Sequence, residues 1–304
     1  MLVRHCLSIK SKQAKLLHEA THRFGTSRIP FLLFLFTGGF VCKTVSSNGT
    51  VPPRTAIRSV NNLAVQFSGT YDTNIFRRYD IVFIDPDVSR DADVDTLLNH
   101  RVLPIAYVNI GEAEAYRWYY SDIKPAWLFG ENPNWPKHYY INVNNVEWQQ
   151  LILEKILPRI FRKNFSGVFL DMVDIASPDL HPSTREGVIA LIGKIRRAYP
   201  EKVIIMNDGT FLVDQVSSSI DGLCVESVFA TYDFKSKTYY IRNKSEAEER
   251  CKELSGIIKQ FGTKIFLIDY ASPDAVTTKA SVMTQARQYG FVPFVSTINL
   301  DSIQ

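Results

Sequence analysis

Short apolar segments alternate with longer amphipathic segments from residue 60 to the end of the chain. The apolar segments are rich in β-branched and aromatic residues and have polar residues at their ends, a pattern typical of strands buried in a parallel sheet. The longer segments have the apolar spacing of helices. Eight apolar segments are present: Asn62–Phe67, Asp80–Pro86, Leu103–Glu112, Gly167–Asp174, Lys202–Asp208, Gly222–Phe229, Lys264–Tyr270 and Phe291–Thr297.

Regular alternation of strand and helix predicts a parallel sheet covered by helices. Ser245 and Glu248 have the spacing of a capping box, and Gly262 follows as a helix stop. Eight strand and helix units over about 245 residues fit a (β/α)8 TIM barrel, which has about 250. An open doubly wound sheet is the competing architecture, but neither GxGxxG nor GxxxxGKS/T occurs. Helices are expected at Glu147–Arg162, Thr184–Ala198 and Ser245–Gln260.

Two parts of the pattern depart from eight equal units. Residues 113–166 are more than one crossover needs, so we expect an inserted segment over the barrel mouth after the third strand. Only seven residues follow Thr297, too few for a full eighth helix, and residues 43–60 are candidates to cover the gap. The aromatic residues of the insertion could stack on apolar sugar faces or form a small core beneath the loop; they are Tyr116, Trp118, Tyr119, Trp127, Trp135, Tyr139 and Tyr140.

The first 42 residues form a basic and then apolar leader. Six basic residues and one acidic residue precede position 29, and the whole chain has a net charge of +4, so the remainder carries −1 and lacks a basic surface for nucleic acid. The 14-residue apolar run Ile29–Cys42 resembles a secretory signal and is shorter than the roughly 20 residues of a membrane span. An uncleaved anchor and a buried hydrophobic strand are the alternatives. We expect a linker at 43–59, a domain at 60–304, and a secreted or cell-envelope-associated protein whose membrane association involves residues 29–42 only.

Acidic residues end nearly every predicted strand. In a TIM barrel these strand ends meet at one mouth, where catalytic residues lie. Carboxylates crowded together there repel one another, so they must be protonated, hydrogen-bonded or paired with a cation. This cost indicates a functional reason for keeping them. The residues are Asp85, Asp87, Glu112, Asp171, Asp174, Asp208, Glu226 and Asp269.

Asp171 and Glu226 are the strongest catalytic candidates. Each ends or interrupts an apolar strand, in GVFLD and LCVES, where an ionised group would ordinarily be excluded, and the two strands are two apart around the barrel. One such carboxylate can protonate a leaving glycosidic oxygen while the other attacks the anomeric carbon or activates water. The alternative is that one or both only cap loop amides. A carboxyl spacing of about 5 Å favours retention, and about 6.5–9.5 Å favours inversion.

Weaker candidates surround this pair. Glu112 could hold substrate or pair with Arg117 one turn later. Asn207 and Asp208 could bind sugar hydroxyls, support Asp171 or cap a loop.

Other chemistries fit the sequence less well. Three of the six histidines lie in the leader and none lies in a strand segment, which disfavours a zinc site. An oxygen-only Mg²⁺ or Ca²⁺ site could be assembled from Asp171, Asp174 and Asp208. No GxSxG elbow occurs, and Cys224 and Cys251 lie in a strand and a helix, as structural cysteines do. We predict no metal and no cofactor.

The segments YVNIGEAEAYRWYY, GVFLDMVD and CVESVF, in this order on a predicted barrel, resemble glycoside hydrolase family 114, the endo-α-1,4-polygalactosaminidases. The resemblance covers about residues 60–304. It implies a (β/α)8 barrel that cleaves α-1,4-linked galactosamine polymers, with Asp171 and Glu226 as the catalytic carboxylates. It also implies groove residues, which Asp85, Tyr107, Glu112 and Trp118 could match.

We therefore expect an endo-acting glycosidase with Glu226 as general acid/base and Asp171 as nucleophile of a retaining mechanism. The acidic mouth would attract the ammonium groups of a partly deacetylated aminosugar polymer, so the expected partner is a cationic polysaccharide. A non-catalytic carbohydrate-binding barrel is the alternative. The predicted substrate-binding residues are Asp85, Tyr107, Glu112, Trp118, Asp174, Asn207, Asp208, Asp269 and Tyr270.

Overall fold

Eight parallel strands form the centre of the molecule in a computed structural model that describes residues 52–303. The strands follow one another around the sheet in chain order, and each is hydrogen-bonded to the next. All eight predicted strands are present and differ from the predicted segments by a few residues at most. Their bounds are β1 (Leu63–Gln66), β2 (Ile81–Ile84), β3 (Leu103–Asn109), β4 (Gly167–Asp171), β5 (Val203–Asn207), β6 (Gly222–Glu226), β7 (Lys264–Tyr270) and β8 (Val292–Ser296).

Residues that follow β1 and β8 close the sheet into a barrel. The backbone N–H of Phe67 donates to the carbonyl of Leu300 at 2.8 Å. The side-chain amide of Gln66 donates to the carbonyl of Asp301 at 3.0 Å. These bonds join the two edge strands of the sheet. The predicted (β/α)8 TIM barrel is therefore confirmed.

Three phenylalanines fill the barrel below its mouth. The ring centroid of Phe83 lies 5.0 Å from that of Phe169 and 5.7 Å from that of Phe266, and all three side chains are buried. Because side chains alternate along a strand, Asp171 shares the inward face of β4 with Phe169, two residues earlier. A filled interior of this kind forms a floor, above which the inward residues at the strand ends face one space.

Helices cover the outside of the barrel. Residues 146–162 form one helical segment with a π-helical part at Ile152–Ile156. Asn243 caps the helix before β7 by accepting a hydrogen bond from the N–H of Ser245 at 3.0 Å, so the predicted capping box is wrong at this helix. Gly262 ends the same helix with φ +67°, as predicted. The α-helices are Pro53–Ala56, Thr73–Phe76, Asp91–Asn99, Val146–Leu151, Leu157–Arg162, Arg185–Ala198, Val213–Val216, Lys244–Phe261 and Val276–Gln288.

Two insertions extend from the C-terminal ends of the strands. After β3, the strands Glu112–Glu114, Leu128–Glu131 and His138–Ile141 form a small antiparallel sheet in which the last strand is central. After β6, the strands Ala230–Asp233 and Thr238–Ile241 form an antiparallel hairpin. The first insertion was predicted, although without its strands. The hairpin after β6 was not predicted.

Residues 52–60 lie against the N-terminal ends of the strands. The Arg54 guanidinium pairs with Asp221 at 2.8 Å and donates to the carbonyl of Pro200 at 2.9 Å, and Ile57 and Val60 are buried. The folded domain therefore begins before residue 60, and this segment covers the strand starts rather than the position of an eighth helix. The predicted leader at 1–42, with its apolar run, and residues 43–51 of the predicted linker lie outside the described residues.

Within residues 52–303, none of the helices combines the length and the apolar character that a membrane crossing requires.

Candidate active site

A cavity of about 440 Å³ opens at the C-terminal ends of the barrel strands. Its volume falls in the range of small-molecule sites, about 300–1,000 Å³. All eight strands, or the loops that follow them, contribute to its wall. The wall is strongly acidic and contains Asp85, Glu112, Glu114, Asp171, Asp174, Asp208 and Glu226.

The side-chain amide of Asn207 joins Asp171 and Glu226. Its Nδ2 atom donates to Asp171 Oδ1 at 2.9 Å and to Glu226 Oε1 at 2.8 Å. Only the NH₂ group of an asparagine can donate to two carboxylates, so the chemistry fixes the orientation of the amide. The two contacts limit the separation of these carboxylate oxygens to about 5.7 Å. The two predicted catalytic carboxylates therefore face one cavity at close range.

Two tyrosines donate hydrogen bonds to the second oxygen of each carboxylate, the one that Asn207 does not contact. Tyr107 donates to Asp171 Oδ2 at 2.8 Å, and Tyr270 donates to Glu226 Oε2 at 2.5 Å. Burial raises the pKa of both tyrosines well above its ordinary value, so both remain protonated donors. Each carboxylate thus accepts one bond from Asn207 and one from a tyrosine, which fixes its rotamer.

Burial is the main cause of raised pKa values in this group. It raises the pKa of Glu226 to about 7, with a further contribution from the charge of Asp171 and opposition from the bonds of Tyr270 and Asn207. Burial also raises the pKa of Asp171, against the hydrogen bonds from Asn207 and Tyr107. The pKa of Asp174 rises to about 6 through burial and the charge of Asp171. Carboxyl groups of this kind can exchange protons near neutral pH.

The backbone turns sharply directly after each of three site residues. Met172, which follows Asp171, has φ 59°; Asp208, which follows Asn207, has φ 50°; and Ser227, which follows Glu226, has φ 57°. Non-glycine residues rarely adopt this left-handed conformation, and such strain occurs often at functional sites. The turns allow β4, β5 and β6 to present a polar side chain at the last strand position before the chain leaves the barrel.

Gly111 makes one of these turns possible. A Cβ atom at this position would lie 2.3 Å from the carbonyl oxygen of Met172. The loop after β3 therefore packs directly on the loop after β4, and any larger residue would displace the backbone next to Asp171.

Arg117 neutralises the acidic groups on the β2 and β3 side of the mouth. Its guanidinium lies 2.8 Å from Asp85 and 3.2 Å from Asp87, and it also pairs with Glu114. Arg117, Asp85 and Glu114 are all buried. Sequence reasoning missed this role of Arg117 and missed Glu114, although the spacing of three residues between them was a signal.

Glu112 pairs with a histidine and not with Arg117. It accepts hydrogen bonds from Asn132 at 2.7 Å and Asn109 at 3.3 Å, and His138 Nδ1 lies 3.1 Å from its Oε2 atom. Burial lowers the pKa of His138, but its hydrogen bond to Glu112 and the charge of Glu114 outweigh burial and raise it. The hydrogen bond to Glu112 therefore stabilises the protonated form of His138. The proposed Glu112 and Arg117 pair is thus corrected.

The mouth therefore has two parts. The paired half consists of Asp85, Asp87, Glu112 and Glu114, with Arg117 and His138 among them. The acidic half consists of Asp171, Asp174, Asp208 and Glu226. Within the described residues, the only basic group within 4 Å of the acidic half is Arg250, 3.8 Å from Asp208.

Two predicted substrate-binding residues lie away from the cavity. Asp269 is fully buried, and its Oδ1 atom accepts hydrogen bonds from the N–H groups of Phe229 and Ala230 at 2.7 and 2.8 Å. Trp118 is partly exposed but lies over Arg159, 4.7 Å from ring centroid to guanidinium, outside the cavity wall. The structure corrects both predictions: Asp269 holds the loop after β6, and Trp118 packs on the helix after β3.

The remaining predicted residues all line the cavity, although Asp85 does so from within its ion pair with Arg117. Sequence reasoning missed several aromatic and polar wall residues, because the hairpin after β6 was not predicted. Tyr232 and Phe234 follow β6 and line the cavity together with Tyr116 and Trp135 of the insertion after β3. Four further members of the predicted aromatic cluster do not line the cavity: Tyr119, Trp127, Tyr139 and Tyr140.

No three His, Cys, Asp or Glu side chains between residues 52 and 303 come together in a metal-binding arrangement. Asp171, Asp174 and Asp208 do line one cavity, but Asp171 is held by Asn207 and Tyr107 instead. Cys224 and Cys251 are free and buried. Burial raises the pKa of both thiols, which opposes nucleophilic reactivity.

Solved structures with the same fold include a glycoside hydrolase domain and a protein in complex with galactosamine. The glycoside hydrolase domain of PelA from Pseudomonas aeruginosa aligns with a TM-score of 0.72 at 21% identity, over 80% of this chain and 97% of that domain. Ega3 from Aspergillus fumigatus, in complex with galactosamine, aligns with a TM-score of 0.66 at 18% identity, over 79% of this chain and 92% of that one. At these identities the similarity establishes the barrel fold.

Relatives of this sequence occur in bacteria. A protein of Deinococcus radiodurans is 28% identical over 276 residues, which is 83% of this chain and 86% of the relative. A protein of Thermotoga maritima is 25% identical over 236 residues, 69% of each chain. The model of glycoside hydrolase family GH114 matches residues 44–304. The chain therefore belongs to family GH114 and is a glycoside hydrolase.

Proposed function

We propose that this protein is an endo-acting hydrolase of α-1,4-linked galactosamine-containing polysaccharide and that Asp171 and Glu226 carry out the reaction. The observation that carries the proposal is the amide of Asn207, which donates to both carboxylates at the wall of the cavity. Glycoside hydrolysis requires such a pair of carboxyl groups on either side of the scissile bond.

The roles of the two residues follow from their surroundings. Glu226, with its pKa raised to about 7, holds a proton near neutral pH and serves as the general acid for the leaving oxygen. Asp171 attacks the anomeric carbon, and its hydrogen bonds from Asn207 and Tyr107 favour the ionised form that a nucleophile needs. Water then hydrolyses the glycosyl ester with Glu226 as base.

The carboxylate spacing supports a retaining mechanism. Inverting enzymes separate their carboxyl groups by roughly 6.5–9.5 Å to hold a water molecule, whereas retaining enzymes separate them by roughly 5–5.5 Å. The limit of about 5.7 Å between the bridged oxygens of Asp171 and Glu226 fits the retaining class.

The charge distribution supports a cationic aminosugar as substrate. Asp174 and Asp208 line the cavity beside the catalytic pair, and within residues 52–303 no basic side chain pairs with Asp174. A sugar ammonium group would relieve the repulsion among these carboxylates, and a neutral sugar would not. The crystal structure of Ega3 in complex with galactosamine agrees with this proposal.

The test is hydrolysis of partly deacetylated galactosamine polymer by the full chain, followed as new reducing ends. We expect Asp171→Asn and Glu226→Gln each to lower the rate by about 100-fold or more while the protein stays folded. Asp179→Asn is the control, because Asp179 is exposed and outside the cavity wall. Undiminished hydrolysis by Asp171→Asn would remove Asp171 from the mechanism. Binding of the polymer by the wild type without new reducing ends would indicate a non-catalytic binding protein.

A further inference from the structure

Four aromatic rings connect the two insertions across the cavity. The ring centroid of Trp135 lies 6.2 Å from that of His138 and 5.5 Å from that of Phe234, and the Phe234 centroid lies 5.3 Å from that of Tyr232. All four side chains line the cavity. His138 and Trp135 belong to the insertion after β3, and Tyr232 and Phe234 to the hairpin after β6. We call these four residues the aromatic bridge.

Both ends of the aromatic bridge are fixed to the barrel. His138 lies against the buried carboxylate of Glu112, directly after β3. Tyr232 packs against Tyr239 of the opposite hairpin strand, with centroids 4.9 Å apart, and the hairpin begins at residues held by Asp269. The contact between Trp135 and Phe234 in the middle joins two separate insertions, and both of these side chains remain more than a third exposed.

The order of the strands determines what lies on either side of the bridge. β3 and β6 are separated by β4 and β5 in one direction and by the other four strands in the opposite direction. Wall residues that are at least partly exposed occur on both sides: Asp174 and Asp208 after β4 and β5, and Ser68 and Asn299 after β1 and β8. The cavity therefore extends past the bridge in two directions.

We propose that the aromatic bridge encloses a bound polysaccharide chain, which runs from the β1 and β8 side to the β4 and β5 side. The bridge then holds the chain after each cleavage, so that the enzyme cuts one polymer molecule several times before release. This inference rests on the proposed function of the same site. Sugar rings have apolar faces that stack on aromatic side chains, and Trp135 and Phe234 offer such faces in the cavity that Asp171 and Glu226 also line.

Dissociation from the polymer tests the bridge without need of turnover. In the Asp171→Asn background, we expect Phe234→Ala to release immobilised galactosamine polymer about tenfold faster, because opening the bridge removes the restraint on a long chain. Release of a galactosamine disaccharide, which can leave through either side, changes much less. Tyr240→Ala is the matched control, because Tyr240 is an exposed aromatic residue of the same hairpin outside the cavity wall. Phe234→Trp should restore slow release.

The outcomes separate the bridge from the hydrolase proposal. Equal acceleration for polymer and disaccharide would make Phe234 an ordinary stacking contact and overturn the bridge, as would unchanged release of the polymer. In active protein, each cut makes a new reducing end, either on a released soluble oligosaccharide or on the insoluble polymer. Phe234→Ala and Trp135→Ala should each lower the ratio of soluble to insoluble reducing ends. If the wild type bound the polymer without cleaving it, the hydrolase proposal would be overturned, but the release rates would still test the aromatic bridge. If the wild type did not bind the polymer, both proposals would be overturned.

Discussion

The two halves of the barrel mouth hold similar carboxylates in opposite ways. In the paired half, Arg117 contacts three acidic side chains and His138 contacts a fourth, so that charge is compensated within the protein. In the acidic half, the compensation comes mainly from neutral donors such as Asn207, Tyr107 and Tyr270. The first arrangement supports the shape of the cavity, and the second keeps charge and protons available to a ligand.

The difference explains why only part of the acidic ring is suited to chemistry. The carboxylates around Arg117 have their charge compensated by a buried guanidinium. A buried carboxyl group that receives only neutral hydrogen bonds has a raised pKa, as Asp174 and Glu226 do. Perturbed groups of the second kind are typical of catalytic sites.

Removal of Arg117 should cause the largest loss of stability in the paired half. Arg117→Met leaves Asp85 and Glu114 buried without their partner, and breaking a buried ion pair typically costs about 3–5 kcal/mol. The free energy of unfolding, measured with urea, should fall by that amount. Arg250→Met is the matched control in the acidic half, where the partly exposed pair with Asp208 is long, and should cost less than about 1 kcal/mol. Equal losses would show that the halves do not differ.

The free energy of unfolding of the wild type should fall as the pH rises from 5 to 8. The Asp174→Asn variant should show a smaller fall. The folded-state pKa of Asp174 is raised to about 6, so the folded protein binds more protons than the unfolded chain between about pH 4 and 6. Stability is then present at low pH and lost as the pH rises through the folded pKa. The raised pKa of His138 acts in the same direction.

We expect Asp174→Asn to recover on the order of 1–3 kcal/mol at pH 8, measured by thermal unfolding of both proteins at pH 5 and pH 8. Asp179→Asn should follow the wild type. A wild-type protein that is more stable at pH 8 than at pH 5 would contradict the raised pKa values of the acidic half.

The smallest effect concerns the rate profile of the Asp174→Asn variant. The charge of Asp174 helps to keep the pKa of Glu226 high, so its removal should lower that pKa. Because Glu226 is the proposed general acid, the alkaline limb of the rate profile should then move to lower pH. The rate above neutral pH should fall by less than about tenfold, since one pKa unit corresponds to a factor of ten. If the alkaline limb did not move, the charge of Asp174 would have no effect on the pKa of Glu226.

The barrel itself could be predicted because its strands are local patterns. Buried parallel strands are nearly continuous apolar runs, and those around Phe83, Phe169 and Phe266 are clear in the sequence. The position of Asp171 and Glu226 at the ends of such runs also follows from chain order alone, because all strand ends of a barrel meet at one mouth.

Pairing between distant segments could not be predicted in the same way. Arg117 pairs with Asp85, Asp87 and Glu114, whereas Glu112 pairs with His138. The contacts of Arg117 with Asp85 and Asp87 depend on β2 lying next to β3. Whether a tryptophan faces the cavity, as Trp135 does, or packs outside it, as Trp118 does, depends on how the insertion folds. The hairpin after β6 was not predicted, and its contact with the first insertion, between Phe234 and Trp135, is tertiary.

The left-handed residues after β4, β5 and β6 have a consequence for protein engineering. Each of Met172, Asp208 and Ser227 adopts a conformation that glycine accepts without steric cost, so a search for thermostable variants would be drawn to glycine at these positions. Glycine would also loosen the chain beside Asp171, Asn207 and Glu226. Glycine substitutions that raise stability at these three positions would therefore lower the rate of the proposed reaction.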